Sequence, residues 1–156
     1  MQTSAVQHLL FAVMPQWYCH IAKPFKQLMR DGISLNMYYC IQILQNCGQS
    51  LTMSELARYM HIPKQQMTKL CNKLIEQQFV ERLPDPDDRR IIRLSLTDRA
   101  QEYTERFLRE DASYYKDLLE SMDAQDRETF QQALSGLHEV FIHLRSSAPD
   151  NIQEEG

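Results

Sequence analysis

The chain has 156 residues, 43% of them hydrophobic, and carries a formal net charge of −4 at pH 7. This length suffices for one sizeable core, so we expect a single domain rather than several. No apolar run reaches the roughly 20 residues that cross a bilayer, and the apolar residues 9–14 follow no lysine or arginine. Neither a membrane span nor a signal peptide is therefore expected, and we predict a cytoplasmic protein without a membrane partner.

The cysteines and histidines show none of the spacings that indicate a metal or redox centre. The four cysteines contain no C-x-x-C pair, and the five histidines contain neither an i, i+4 pair nor an H-E-x-x-H motif. The sequence has no nucleophile elbow and no phosphate-binding loop. We therefore expect no metal, no cofactor and no catalytic residues, and we predict that the protein is not an enzyme.

The first part of the chain reads as two helices. Apolar residues recur at steps of three and four over residues 5–30, which predicts a helix that Pro15 and Pro24 kink. Ser34 is a suitable N-cap for a second helix, which ends at Gly48. Because glycine and proline are sparse elsewhere too, the sequence predicts a mainly α protein.

The next two predicted helices form a helix-turn-helix. The sequence Thr52-Met53-Ser54-Glu55 has capping-box spacing and opens a short helix to about residue 60, followed by a break at residues 61–63. In the following helix, about 64–77, the buried stripe at i, i+3, i+4, i+7 and i+8 is Met67, Leu70, Cys71, Leu74 and Ile75. The opposite face carries hydrogen-bond donors and no carboxylate: Lys64, Gln65, Gln66, Thr68, Lys69, Asn72 and Lys73.

A β-hairpin and two more helices complete the predicted fold. Alternating apolar residues predict short strands at about 79–83 and 91–96, joined by a turn rich in Asp, Pro and Arg. A hairpin directly after a helix-turn-helix is typical of the wing of a winged helix. Long amphipathic helices are predicted at about 98–121 and 124–145, and residues 146–156 are expected to be a disordered tail.

Charge is unevenly distributed along the chain. Basic residues outnumber acidic ones between residues 58 and 93, whereas the last third is acidic. A local basic surface can bind phosphate although the net charge is negative. Lysine, glutamine and asparagine can also donate to base edges in the major groove. We therefore expect the donor-rich helix to bind double-stranded DNA. A merely solvated helix face is the alternative, which the hairpin that follows disfavours.

Nearly the whole chain, and most specifically residues 51–100, resembles the MarR-type winged-helix transcriptional regulators. The family's wing pattern D-P-x-D-x-R, followed by a strand and L-T, is matched by Asp85-Pro86-Asp87-Asp88-Arg89-Arg90 and the strand after it. The resemblance implies that Arg90 at the wing tip enters the minor groove. It also implies that Asp88 orients the basic wing side chains and that Arg89 lies near phosphate.

The resemblance also implies how the rest of the chain is used. Within a single domain over residues 1–145, residues 34–96 form the DNA-binding lobe, and residues 5–30 and 98–145 form a helical dimerisation platform. A homodimer of this kind binds a pseudo-palindromic operator, and the family implies a repressor that a small organic effector releases. The predicted effector pocket is lined by Trp17, Tyr18, Tyr38 and Tyr39, with an ordinary core role as the alternative for these aromatics.

A redox-responsive regulator is one alternative function. Peroxide-sensing members of the family hold a reactive cysteine in the first helix, but ungapped spacing places that position near Leu10 rather than at Cys19. Cys19 nevertheless stays a candidate because Lys23 adjoins it on the same predicted helix. Cys40 and Cys71 fall on apolar stripes, so we expect buried, unreactive thiols there.

A winged-helix module for protein interaction is the other alternative. Such a module needs neither a carboxylate-free helix face nor Arg90, so the sequence favours DNA binding. One departure from the family concerns wing placement: Gln78 stands where the family usually has glycine. A left-handed helix end at Gln78 would be strained or replaced by another conformation.

Overall fold

In the computed structural model of the protein, residues 3–30, 32–48 and 50–147 are described. The chain divides into an N-terminal unit that ends at Tyr38 and a second unit that begins at Tyr39. Of the predicted tail, residues 146–147 belong to the last helix, and residues 148–156 lie outside the described residues. Among the described helices, none is long and apolar enough to cross a membrane.

The elements confirm a mainly α fold with a small β-hairpin. In chain order they are α1 (Thr3–Trp17), a π turn (Tyr18–Ala22), α2 (Lys23–Gln27), α3 (Leu35–Cys47), β1 (Leu51–Thr52), α4 (Met53–Met60), α5 (Lys64–Glu76), β2 (Val80–Pro84), β3 (Ile92–Leu96), α6 (Asp98–Arg106), a second π turn (Phe107–Asp111), α7 (Ser113–Ser121) and α8 (Ala124–Ser147).

The N-terminal helical run changes its hydrogen-bond pattern just before Pro24. In the first π turn, the N–H of Lys23 donates to the carbonyl of Tyr18, five residues back. In a regular α-helix the ring of Pro24 would clash with the carbonyl four residues earlier, and a wider turn relieves this clash. Pro15 lies within α1, which the structure shows as uninterrupted α-helix.

The predicted helix over residues 98–121 is divided by the second π turn. There the N–H of Ala112 donates to the carbonyl of Phe107 at 3.0 Å. The extra residue in this turn shifts the face that α7 presents relative to that of α6. The sequence contains no proline or glycine over this stretch, so no local signal marks the interruption.

The sheet has three antiparallel strands in the order β1-β3-β2. In the hairpin, Val80 pairs with Leu96 and Pro84 pairs with Ile92, so both predicted strands are confirmed to within a residue. On the other edge of β3, Leu51 pairs with Leu94. The strand β1 could not be predicted from the sequence, because two residues are too few to show strand alternation.

The core of the second unit lies beneath the helix-turn-helix and the sheet. Its fully buried side chains include Cys40, Ile41, Leu56, Met67, Cys71, Leu74, Leu94, Ala100 and Phe107. Four of the five residues in the predicted stripe of α5 are buried, and Ile75 is half-buried. Burial of each leucine-sized side chain stabilises the fold by about 1.5–3 kcal/mol, so the apolar stripe fixes which face of α5 points outward.

The helices predicted to form the dimerisation platform carry exposed apolar side chains in the single chain. On α1 these are Val6, Leu9, Leu10, Phe11, Val13, Met14 and Trp17, and on α8 they are Leu134, Leu137, Val140, Phe141, Ile142 and Leu144. Phe11 is 73% exposed and Phe141 is 56% exposed. Many exposed apolar side chains on one helix, as on each of these two, are typical of an interaction site.

Gln78 keeps the left-handed conformation that the family usually gives to glycine, with φ at 63°. Its N–H donates to the carbonyl of Ile75, and the N–H of Phe79 donates to that of Leu74, both at 2.9 Å, which is a Schellman helix end. The carbonyl of Gln78 accepts a hydrogen bond from the Thr97 hydroxyl at 2.6 Å. The chain therefore keeps the left-handed helix end at Gln78 instead of replacing it with another conformation.

Replacing Gln78 with glycine should raise the free energy of unfolding by about 0.5–1 kcal/mol. The left-handed conformation costs a residue with a side chain roughly 1–2 kcal/mol, which exceeds the extra entropy that glycine loses on folding, about 0.5–1 kcal/mol. Urea unfolding of Gln78→Gly measures the change. The matched control is Gln77→Gly, where φ is −83° and glycine should destabilise the protein. Equal effects at both positions would contradict the assignment of strain.

Candidate nucleic-acid interface

The predicted capping box at the start of α4 is present. The Thr52 side-chain oxygen accepts from the N–H of Glu55 at 3.2 Å, and the Glu55 carboxylate accepts from the N–H of Thr52 at 2.8 Å. The helix ends at His61, whose φ of 52° turns the chain. Pro63 then precedes α5, and its carbonyl accepts the N–H of Met67. These local contacts form the helix-turn-helix.

The seven predicted DNA-binding side chains of α5 are all exposed. They lie opposite the buried stripe and contain no carboxylate, so α5 presents a surface of hydrogen-bond donors with three lysines among them. The Thr68 hydroxyl has two acceptors within hydrogen-bond distance, the carbonyl of Lys64 at 3.0 Å and the sulfur of Met53 at 3.3 Å. The structure therefore supports the predicted division of α5 into a core face and an outer face.

Asp85 organises the turn at the wing tip. One of its carboxylate oxygens accepts from the N–H groups of Asp87 and Asp88, at 2.9 and 3.1 Å. These two backbone hydrogen bonds, followed by the hydrogen bond and charge of Arg93, hold the pKa of Asp85 below its usual value. The loop is closed by the N–H of Asp85 donating to the carbonyl of Ile91 at 2.9 Å.

Asp88 holds Arg90 through three hydrogen bonds. Its carboxylate accepts from Nε and Nη2 of Arg90 at 3.0 and 2.9 Å and from the backbone N–H of Arg90 at 3.0 Å. The paired side chains lower the pKa of Asp88 and raise that of Arg90. The Arg90 side chain is nevertheless 89% exposed. Arg89 is exposed as well, so the wing presents two guanidinium groups, one of them held by a carboxylate.

Arg93 joins the wing to the start of the helix-turn-helix, a role that the sequence analysis missed. Its guanidinium donates to the Ser50 hydroxyl and carbonyl, both at 2.9 Å, and to the Asp85 carboxylate at 3.0 Å. The Glu55 carboxylate of the capping box lies 3.9 Å away. Pairing of β1 with β3 places Ser50 beside Arg93. Because β1 was not predicted, this contact could not be predicted either.

Replacing Arg93 with alanine should lower the free energy of unfolding by at least about 2 kcal/mol, because even one hydrogen bond to a charged group contributes roughly 1.5–3 kcal/mol. The Arg93 side chain is only 23% exposed, so solvent screens these contacts little. Chemical denaturation tests this value, with the exposed Arg89→Ala as the matched control, which should leave stability unchanged. Equal stability of Arg93→Ala and the wild type would exclude a structural role for the contact.

Arg82 is a second cation that sequence reasoning missed. It lies on β2, and its Nη2 donates to Oδ1 of Asn72 on α5 at 3.1 Å. Both side chains are exposed, so they enlarge the donor surface of α5. No local signal marked Arg82, because its partner comes from the packing of a strand beside a helix.

The predicted effector-pocket residues do not share one environment. Trp17, Tyr18 and Tyr39 are exposed, whereas Tyr38 is 8% exposed. The ring of Tyr38 packs edge-on against that of Phe25, with 4.9 Å between centroids. The pocket therefore stays a prediction.

The cysteines divide as their positions on the predicted helices indicated. Cys40 and Cys71 are buried, and burial raises the pKa of the Cys40 thiol to about 12 and that of Cys71 to about 11. Thiols with such pKa values carry little thiolate at neutral pH and react slowly. Cys19 is exposed, so the redox alternative also stays a prediction.

A known family model matches the segment that contains the helix-turn-helix and the first part of the wing. Residues 31–91 match a family model described as the MarR family. The chain is also similar to YsmB of Bacillus subtilis (strain 168), described as an uncharacterized HTH-type transcriptional regulator. The two are 28% identical over 127 residues, which cover 78% of this chain and 86% of YsmB. The segment that holds the helix-turn-helix therefore matches the family that the sequence resembles.

Solved structures agree with this fold. The chain is similar to RV1404 from Mycobacterium tuberculosis, with 19% identity, coverage of 96% of this chain and 98% of the other, and a TM-score of 0.73. It is also similar to Streptococcus pneumoniae FabT, solved in complex with DNA, with 15% identity, coverage of 92% and 99%, and a TM-score of 0.59. The predicted winged-helix fold is thus confirmed, and the family is one of regulators rather than enzymes.

Proposed function

We propose that this protein is a dimeric, sequence-specific DNA-binding repressor of the MarR type in the cytoplasm, which a small organic ligand releases from its operator. The observation that carries the proposal is the exposed face of α5, which holds no carboxylate over residues 64–73 and only Glu76 at its end, beside a wing tip that presents Arg90. FabT, which has a similar fold, was crystallised with DNA. In this arrangement α5 enters the major groove, and Arg90 enters the adjacent minor groove, where negative potential is concentrated.

Salt dependence tests the proposed binding face. Lys64, Lys69 and Lys73 are exposed on α5, and each lysine that neutralises a phosphate releases about one counterion. The affinity for duplex DNA should therefore fall with salt, and replacing all three lysines with alanine should reduce the slope of log affinity against log salt by up to about 3. Fluorescence anisotropy at several salt concentrations measures both. A slope that is unchanged in the triple variant would contradict binding through α5.

The dimer is proposed from the exposed apolar side chains of α1 and α8. A monomer would leave aromatic and aliphatic side chains of both helices in water, and a second copy of the chain can cover them. A two-fold dimer presents two copies of α5, so its operator should be a pseudo-palindrome with half-sites about one helical turn apart.

Ligand release is proposed through a change in the spacing of the two copies of α5. A 100-fold loss of operator affinity needs only about 2.7 kcal/mol of coupling between the effector and DNA sites. Aromatic side chains such as Trp17 and Tyr39 can stack on a flat, weakly polar compound.

A further inference from the structure

The contact between Arg82 and Asn72 lies on the surface proposed to meet DNA. Asn72 is one turn beyond Thr68 and Lys69 on the exposed face of α5, and Arg82 reaches it from β2, with 3.1 Å between Nη2 and Oδ1. The pairing of β2 with β3 sets Arg82 opposite Leu94, whose side chain is buried. The sheet therefore fixes the backbone position from which the guanidinium reaches the helix.

The chemistry of the pair determines which way the amide points. A guanidinium carries only hydrogen-bond donors, so the Asn72 atom that faces it must be the carbonyl oxygen. The amide nitrogen, with its two donors, then lies on the other side of the side chain. Cys71 gives a second sign that Arg82 lies close to α5: burial raises the pKa of this thiol to about 11, and the charge of Arg82 opposes that rise.

This orientation changes what Asn72 can read. A free asparagine reads adenine with both amide atoms, because its oxygen accepts from N6 and its nitrogen donates to N7. Here one lone pair of the Asn72 oxygen is occupied, and an adenine amino group approaching the other would also meet the donors of Arg82. Guanine presents two acceptors, N7 and O6, in the major groove, and these match two neighbouring donors.

We propose that Arg82 is a positioning residue that converts Asn72 into a hydrogen-bond donor, so that the base read by this pair in each operator half-site is guanine rather than adenine. The inference rests on the proposed DNA-binding function. It assigns a specificity role to a wing-strand residue that lies outside the helix-turn-helix.

The test uses the full-length protein and an operator selected with the wild type from random duplexes. Every base pair of one half-site is varied, and affinities are measured for the wild type, Asn72→Ala, Arg82→Ala and Arg82→Lys. Asn72→Ala should lose discrimination at one base pair, where the wild type prefers guanine over adenine by about tenfold, the discrimination typical of a good base contact. Arg82→Ala should reduce this preference below about twofold or reverse it, because the amide is then free to read adenine.

Arg82→Lys should retain the guanine preference, since an ammonium group also only donates. Arg109→Ala is the control for loss of an exposed arginine and should change no preference. An adenine preference of the wild type at the Asn72-dependent position would overturn the inference. An unchanged guanine preference in Arg82→Ala would also overturn the inference. The absence of any base pair whose discrimination depends on Asn72 would overturn it as well. Failure of the wild type to select any sequence would instead overturn the proposed function itself, and the inference with it.

Discussion

Replacing Arg90 with alanine should weaken operator binding by about tenfold or more, as expected for loss of an arginine held in the minor groove. The side chain is 89% exposed, and Asp88 fixes its guanidinium through two side-chain hydrogen bonds. Because the Arg90 side chain is already ordered before it binds, little side-chain entropy is lost when its guanidinium contacts DNA. Thermal unfolding should be unchanged, because Arg90 does not contribute to the core.

Anisotropy titrations against the selected operator measure this effect. Arg109→Ala, which removes an exposed arginine of the second π turn, is the matched control and should bind as the wild type does. Lys64→Ala or Gln65→Ala should instead alter the preference among sequences, at roughly 1–3 kcal/mol for each lost base contact. Unchanged operator affinity of Arg90→Ala would show that the wing tip does not contact DNA.

Introducing aspartates at Leu137 and Phe141 should separate the dimer and lower operator affinity by about 100-fold or more, because two linked half-site contacts bind far more tightly than one. These side chains lie four residues apart on one face of α8 and are 46% and 56% exposed in the single chain. Burying two carboxylates in an apolar interface is strongly unfavourable.

Light scattering at micromolar concentration and operator titration together test the dimer. Gln132→Glu adds a carboxylate to the same helix on the opposite face, so it should leave both mass and affinity unchanged. A Leu137→Asp/Phe141→Asp variant that remained dimeric would exclude this face of α8 from the interface. A monomeric variant with full operator affinity would contradict the need for a dimer.

Features that depend on neighbouring residues could be predicted from the sequence. The capping box of Thr52 and Glu55 needs only correct spacing, and the buried stripe that begins at Met67 needs only helical periodicity. Gln78 could be recognised as a departure because a left-handed helix end has a known preference for glycine. Such local rules located the helix-turn-helix and the hairpin to within a few residues.

Features that depend on long-range pairing could not be predicted. Arg93 meets Ser50, which is 43 residues earlier, only because a two-residue strand pairs with β3. Arg82 reaches Asn72 because β2 packs beside α5, and nothing in the sequence around Arg82 specifies that neighbour. Both missed residues are arginines whose partners come from different elements, and both hold other side chains in place.

The most direct measurement of the central claim is selection of operators from a pool of random duplexes by the full-length protein, followed by footprinting of the bound site. If two subunits bind through α5 and the wing, the selection should recover a pseudo-palindrome. Its half-sites should lie about one helical turn, or roughly 10 base pairs, apart. Protection should cover both half-sites and be lost in Arg90→Ala at the concentrations that protect with the wild type. Recovery of no common sequence, or of a single unrepeated site bound by one subunit, would contradict a dimeric DNA-binding regulator.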